Sequence, residues 1–327
     1  MRTVTCFGEA LIDFLALPDP ADGQARQYAR YAGGAPANVA AAIAKLGGEV
    51  AFVGMLGLDA FGDFLLASLR QAGVHTDFVV RTDAAPTALA FVELDAGGER
   101  RFSFYRPPAA DLLFRPAHFR DACFSHTSIF HICSNSLTDA AIAETTLAGL
   151  ARARAAGALV SFDINLRSAL WPKDTDPRTN LWNALRETDL VKLCAAEFAF
   201  LATTLGDEET VLSELWRGRS ALVVVTDGAS PVRYFTPTRA GEVPAFAVHA
   251  IDTNAAGDAF IGGLLQWLAQ HHIDAATLDR FSTDPRQIET ALRYASACGA
   301  IAVTRHGAFA ALPLRAEVDA FLEAHPC

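Results

Sequence analysis

Asp252 and Asp258 stand six residues apart around a run of small or short residues, Thr253-Asn254-Ala255-Ala256-Gly257, and the apolar segment Ala259–Ala269 follows at once. Small residues at a helix start leave backbone N–H groups uncovered, and the helix dipole adds positive potential there, so a phosphate can sit on them. The cradle has no lysine of its own. The same letters also describe an ordinary helix start, capped by Asp252 or Asp258 with small residues for packing; the two bracketing aspartates favour function. A second element, Gly33-Gly34-Ala35-Pro36-Ala37-Asn38, leads a glycine pair into a helix with an amide in its first turn. Glycines allow close backbone approach, and Asn38 offers both donor and acceptor, which suits a polyhydroxyl ligand; a tight turn before a helix would look the same. Asp13, Asp163, Asn165 and Arg167 follow strand-like segments. Ligands of open α/β sheets bind where strands leave the sheet, although each of these residues could instead cap a neighbouring helix.

The elements that must position these groups alternate along the chain. Short apolar runs read as core strands at Val50–Gly54, Ser128–Cys133, Ala158–Asp163, Leu190–Leu193 and Ala221–Thr226, with a first strand near Val4. Between them, segments of helical period read as helices at Pro36–Leu46, Phe61–Ala72, Asp139–Ala156 and Asp207–Trp216. This is the pattern of a parallel sheet covered by helices, an α/β fold. Pro244–Ile251 reads as a further strand leading into the Asp252 segment. Thr87–Asp95 and Arg100–Arg106 break the alternation as two period-2 strands joined by Ala96-Gly97-Gly98, a hairpin that could serve as a lid. On it Phe102 and Phe104 alternate with Arg101, Ser103 and Tyr105, so one side should pack and the other meet solvent, substrate or a second subunit.

Composition bounds the rest. The chain has 327 residues, 51% of them hydrophobic, enough to bury a large core. Its net charge is −10 with no basic cluster, which argues against nucleic acid or a membrane surface and for a small-molecule partner. The cysteines Cys6, Cys123, Cys133, Cys194, Cys298 and Cys327 show no metal-like spacing and read as reduced thiols, mostly buried, as in a cytoplasmic protein. No apolar run approaches the ~18 residues of a membrane span. P-loop, protein-kinase and nucleophile-elbow signatures are absent, and so is the dinucleotide-binding fingerprint, which disfavours a nucleotide-binding oxidoreductase.

Taken in order, Gly8-Glu9-Ala10-Leu11-Ile12-Asp13, Gly33-Gly34-x-x-x-Asn38, the Asp252–Asp258 segment and Ala300-Ile301-Ala302-Val303-Thr304-Arg305-His306-Gly307-Ala308 cover nearly the whole chain. With these motifs at these distances the chain resembles the PfkB, or ribokinase-like, sugar kinases, and among them the fructokinases most closely. The resemblance implies a three-layer α/β core with a mainly parallel sheet, one kinase domain over 1–327, and a small β-sheet lid formed by about 14–32 and 86–106. It implies transfer of the ATP γ-phosphate to a hydroxymethyl group, foremost of D-fructose to give fructose 6-phosphate. It makes Asp258 the base, with the N–H groups of Ala255, Ala256 and Gly257 holding phosphate charge. Asp13, Gly33, Gly34 and Asn38 would hold the sugar, with Asn165 and Arg167 near sugar and phosphates. Thr226, Gly228, Cys194 and Ser296 would line the ATP pocket, and Glu197 would organise Mg²⁺ through water. A monovalent cation, K⁺, would lie among Asp252, Asn254, Ala302, Arg305 and Gly307, and two lids would pair in a homodimer.

Two positions depart from the family pattern: Cys194 stands where asparagine is usual, and Ala255 where glycine is commonest. Alanine serves there if the backbone needs no positive φ. A helix N-terminus should hold Asp258 at a low pKa, so that proton transfer comes late in the reaction. Arg106, in Phe104-Tyr105-Arg106, is expected at the sugar. An arginine also matches a carboxylate, so 2-keto-3-deoxygluconate is a rival substrate, with ribose and nucleosides as further alternatives. A catalytically inactive sugar-binding sensor is the reading from another class, disfavoured by the intact Gly257 and Asp258.

Overall fold

The computed structural model describes residues 3–17, 25–94 and 100–326. Its strands are β1 Thr3–Phe7, β2 Leu11–Ala16, β3 Tyr28–Gly33, β4 Val50–Gly57, β5 His75–Thr82, β6 Leu89–Leu94 and β7 Arg100–Tyr105. They continue as β8 Thr127–Cys133, β9 Leu159–Asp163, β10 Leu190–Cys194, β11 Leu222–Thr226, β12 Val232–Thr236 and β13 Arg239–Val243. Nine of them form one sheet in the order β13-β12-β11-β10-β9-β8-β1-β4-β5. From β11 to β5 every neighbouring pair is parallel, and β12 and β13 extend one edge antiparallel.

Burial on both faces follows from the strands' unbroken apolar runs. On β11, Leu222 and Val224 join the core beneath the helices Ala35–Lys45, Ala256–Gln270 and Pro285–Ala302. Val223 and Val225 join the opposite core, beneath Ala140–Ala155, Pro177–Leu185, Ala195–Leu205 and Glu208–Arg217. Helix starts are set by short acidic side chains: Asp59 accepts from Phe61 and Gly62 N–H, and Asp139 from Ala141 and Ile142 N–H. The result is a three-layer α/β fold with a large, mostly parallel sheet.

A separate sheet has the order β3-β2-β6-β7. Leu89–Leu94 and Arg100–Tyr105 pair antiparallel as a hairpin; the expected turn Ala96-Gly97-Gly98 and the side chains of Arg101 and Phe102 lie outside the described residues. The two-sidedness holds where it can be read, for Phe104 packs into the core while Tyr105 is 63% exposed. Pro244–Ile251 is not a strand: the sheet already ends at β13, and residues 244–250 run as irregular chain to Asp252. Among the described residues no helix is long and apolar enough to cross a membrane. The five described cysteines are free thiols, all buried except the half-buried Cys194; Cys327 lies outside the described residues.

Candidate active site

Two helices lie side by side, with their first turns together at the carboxyl edge of the large sheet, because their flanks are small. A β-carbon on Gly262 would stand 2.6 Å from the Ala42 β-carbon, so the alanine-rich Ala35–Lys45 lies close against Ala256–Gln270. This brings the first turns together: Asn38 Nδ2 donates to Asp258 Oδ2 at 2.7 Å. Asn165, with a left-handed φ of 40°, adds a longer contact from its Nδ2 to Asp258 Oδ1 at 3.4 Å. Asp258 is 8% exposed. Burial raises its pKa, opposed in part by the Asn38 hydrogen bond and the charges of Arg167 and Lys192. The expectation of a depressed value therefore fails, because desolvation of the carboxylate outweighs the helix terminus.

The cradle itself is a helix cap. Ala255 precedes the helix with φ 57° and ψ 7°. The condition set for alanine is thus not met, and Ala255 holds a left-handed conformation that costs roughly 1–2 kcal/mol in an L-residue. Ala256 N–H reaches Thr253 O only at 3.5 Å, and Gly257 leaves room for the Lys192 ammonium, which would be 3.1 Å from a β-carbon at that position.

On the side expected to hold sugar, a β-carbon on Gly33 would overlap Asp13 Oδ2, so only glycine lets the Asp13 carboxylate lie against that backbone. Gly34 has φ 101° and the Glu9 carbonyl close by, a second position where a side chain would not fit. Glu9, 1% exposed, accepts from Ala35 N–H at 3.2 Å and from Asn135 Nδ2 at 2.8 Å, tying the glycine turn to the end of β8. Arg106, expected at the sugar, is a buried side chain. Its guanidinium is buried and clasps Asp111 at 2.6 and 2.8 Å, the Asn135 carbonyl at 2.7 Å and Thr138 Oγ1 at 3.4 Å. Nearby, Asn38 Oδ1 and Asn135 Oδ1 are buried acceptors without a protein donor. Hydroxyl groups of a polyol would satisfy them.

Of the residues expected at ATP, Cys194 and Thr226 lie at the same edge. Cys194 and Thr226 are paired at the ends of adjacent strands, and Gly228 turns away with φ 52°. Ser296 Oγ is buried without a partner on the helix whose Gly299 faces the carbonyl of Ala256. Cys194 keeps the capping role of an asparagine, its side chain accepting from the Glu197 N–H. Glu197 in turn accepts from Cys194 N–H and Leu166 N–H, both at 2.7 Å, which fixes the loop bearing Asn165 and Arg167. Each carboxylate oxygen keeps a lone pair for a metal-bound water.

Asp252, 2% exposed, accepts from Asn254 N–H at 2.6 Å and Gly307 N–H at 3.1 Å, while its own N–H reaches Val303 O at 3.1 Å. It thereby joins the loop after β13 to the helix end carrying Ala302 and Arg305. A cavity of about 10 Å³ lies among Asp13, Tyr31, Asp252, Asn254 and Gly307. That is room for one water-sized body beside a buried carboxylate. Asp13 thus borders both the expected cation and the expected sugar.

Glu9, quoted within the first motif, and Asp111, Asn135 and Lys192 are the polar residues to which the sequence assigned no role. Lys192 had a signal: it is a lysine inside the apolar strand Leu190-Val191-Lys192-Leu193. Burial alone would lower its pKa, but Asp163, Glu197 and Asp258 together raise it above the ordinary lysine value.

The family model described as pfkB family carbohydrate kinase matches residues 1–315. A fructokinase-1 of Oryza sativa subsp. japonica is 41% identical over 321 residues, covering 98% of this chain and 97% of the relative. The crystal structure of a fructokinase from Xylella fastidiosa with bound ATP superposes with a TM-score of 0.95 at 57% identity, covering 98% of both chains. A fructokinase double mutant from Vibrio cholerae O395, in fructose, ADP and potassium ion bound form, gives a TM-score of 0.86 at 35% identity over 98% of both chains. A buried aspartate at the head of a helix, glycine turns at the strand ends, and likeness along the whole chain agree: the chain belongs to the pfkB family of carbohydrate kinases.

Proposed function

We propose that this protein is an ATP-dependent fructokinase that transfers the γ-phosphate to the 6-hydroxymethyl oxygen of D-fructose. The observation that supports it most is Asp258: a buried carboxylate of raised pKa, held by Asn38 and facing the start of the Ala256 helix. A raised carboxylate is a better proton acceptor at neutral pH than an ordinary one. Asp258 takes the proton of the attacking hydroxyl, and Asn38 fixes its orientation. Asp13 and the amides of Asn38 and Asn165 hold the sugar hydroxyls, while the N–H groups of Ala255, Ala256 and Gly257 receive charge developing on the phosphoryl oxygens. Arg167, exposed beside Asp258, faces the phosphates.

Glu197 would hold Mg²⁺ through water, and the metal would supply positive charge against that of the phosphates. Asp252, with carbonyls of Asn254, Ala302, Arg305 and Gly307, would hold K⁺ beside the loop before the cradle. The enclosure of Arg106 by Asp111 favours fructose over 2-keto-3-deoxygluconate, because the guanidinium has little left to offer a substrate carboxylate. The small sheet acts as the lid over the sugar. Its outer face, where Tyr28 and Tyr105 flank Phe91 with centroids 5.4 Å away, is the homodimer contact. Free thiols fit work in the cytoplasm.

The test is a panel of sugars with MgATP, scored by kcat/KM for ADP release, with the product's phosphate position read by NMR. Fructose should lead and give the 6-phosphate; a keto acid or ribose leading by tenfold would replace this reading. Sedimentation tests the dimer, and a monomer would remove it.

A further inference from the structure

A lysine in the middle of an apolar strand calls for a reason, because desolvating an ion pair costs about as much as the pairing returns. Lys192 Nζ lies 3.0 Å from each carboxylate oxygen of Asp163, with side-chain exposures of 6% and 2%. Its ammonium also borders Gly257, in the first turn of the helix whose N–H groups form the cradle. The groups acting on it from neighbouring elements are Asp163 on β9, Glu197 and Asp258 at two helix starts, and His131 on β8. His131 brings no charge: burial first, and Lys192 second, hold its pKa down to about 3, and its Nδ1 lies 3.1 Å from Ser161 Oγ. The basin that must admit a polyanionic phosphate is therefore walled by carboxylates, and Lys192 is the buried cation set among them.

We propose that Lys192, held by Asp163, is the fixed cation of the phosphoryl-transfer site: a positioning residue that offsets the surrounding carboxylates and favours negative charge on the phosphoryl group at Gly257. The inference rests on the phosphotransferase reading above. In the step it serves, the bond from the γ-phosphorus to the β–γ bridging oxygen breaks and its electron pair leaves with ADP. The sugar oxygen bonds to phosphorus, and its proton passes to Asp258. Lys192 forms and breaks no bond; it lowers the cost of charge in the transition state, where preorganised charge is most effective.

Lys192→Met alone leaves Asp163 buried and unpaired, so the informative variant is Lys192→Met/Asp163→Asn, which removes the charges together. Expected for it are a Tm within about 5 °C of wild type, a fructose KM within about threefold, and kcat lower by about 10²-fold. Its affinity for ADP with fluoroaluminate and fructose should fall by a similar factor, while affinity for ADP alone stays within about threefold. Asp163→Asn, which keeps the cation, should hold kcat within about tenfold of wild type. Recovery of kcat to within about fivefold in the double variant overturns the proposal, as does equal loss in Asp163→Asn, which would mark the pair as structural. Absence of ADP release by the wild-type enzyme with any sugar would instead overturn the phosphotransferase reading itself.

Discussion

Gly33→Ala separates sugar binding from folding at one position. A β-carbon there would overlap Asp13 Oδ2 and stand 2.8 Å from Asp13 Cγ. Ordinary contact between carbons begins near 3.5 Å, so the carboxylate must turn aside by about 1 Å. The obstacle is the end of a side chain rather than backbone, and Gly33 does not need a positive φ, so the fold should absorb the change. The sugar should not. A hydrogen bond to a charged group contributes about 1.5–3 kcal/mol, so its loss raises the fructose KM by about 10- to 150-fold. If Asp13 holds ground and transition states alike, kcat changes little. Steady-state kinetics by coupled ADP release, with Tm measured alongside, reads both effects. A KM within twofold of wild type in a folded variant would refute Asp13 as the sugar's anchor. Gly34→Ala is the control: at φ 101°, and with the Glu9 carbonyl 2.7 Å from the added carbon, it meets backbone and should lose stability rather than affinity.

Further outcomes follow from the same geometry. Arg106→Met breaks a fully buried ion pair and should cost about 3–5 kcal/mol, while Arg106→Met/Asp111→Asn should recover most of it in thermal or urea unfolding; unchanged stability with a raised KM would return Arg106 to the sugar. Ala255→Gly should leave kcat within about threefold, since the N–H does the binding, whereas Ala255→Val puts a β-branched residue at φ 57° and should lose several kcal/mol; equal stability of the two would show that the left-handed cap is not needed. Because burial raises the Asp258 pKa, the base is lost by protonation as pH falls through that raised value. The acid limb of kcat/KM should thus lie above the ordinary carboxylate value of about 3.9, and a limb at or below it would contradict the buried setting.

Much of the fold was legible because the parallel core strands are continuous apolar runs and the helices carry clear start signals. The edge was less so. Val232–Thr236 and Arg239–Val243 carry arginine, tyrosine and glutamate on a half-exposed hairpin, while Pro244–Ile251 has strand-like letters but no neighbour to pair with. The site was legible where chemistry sits in contiguous motifs, as in Gly33-Gly34-x-x-x-Asn38 and Asp252–Asp258. It was not legible where partners are remote in sequence. Nothing local to Arg106 announces that Asn135 and Thr138 will enclose it, and nothing local to Asp258 says how deeply two helix ends will bury it. Lys192 lay between: its strand position marked a buried charge, but Asp163 was 29 residues away.

Asp258→Asn is the most direct test of the account. Asparagine keeps the size and can still accept from Asn38, so folding and fructose KM should hold to within a few-fold. Turnover should fall by about 10²- to 10⁴-fold, the range of a lost general base, and the acid limb should disappear from the pH profile. A folded Asp258→Asn enzyme that phosphorylates fructose within tenfold of the wild-type rate would contradict the assignment of Asp258 as the base.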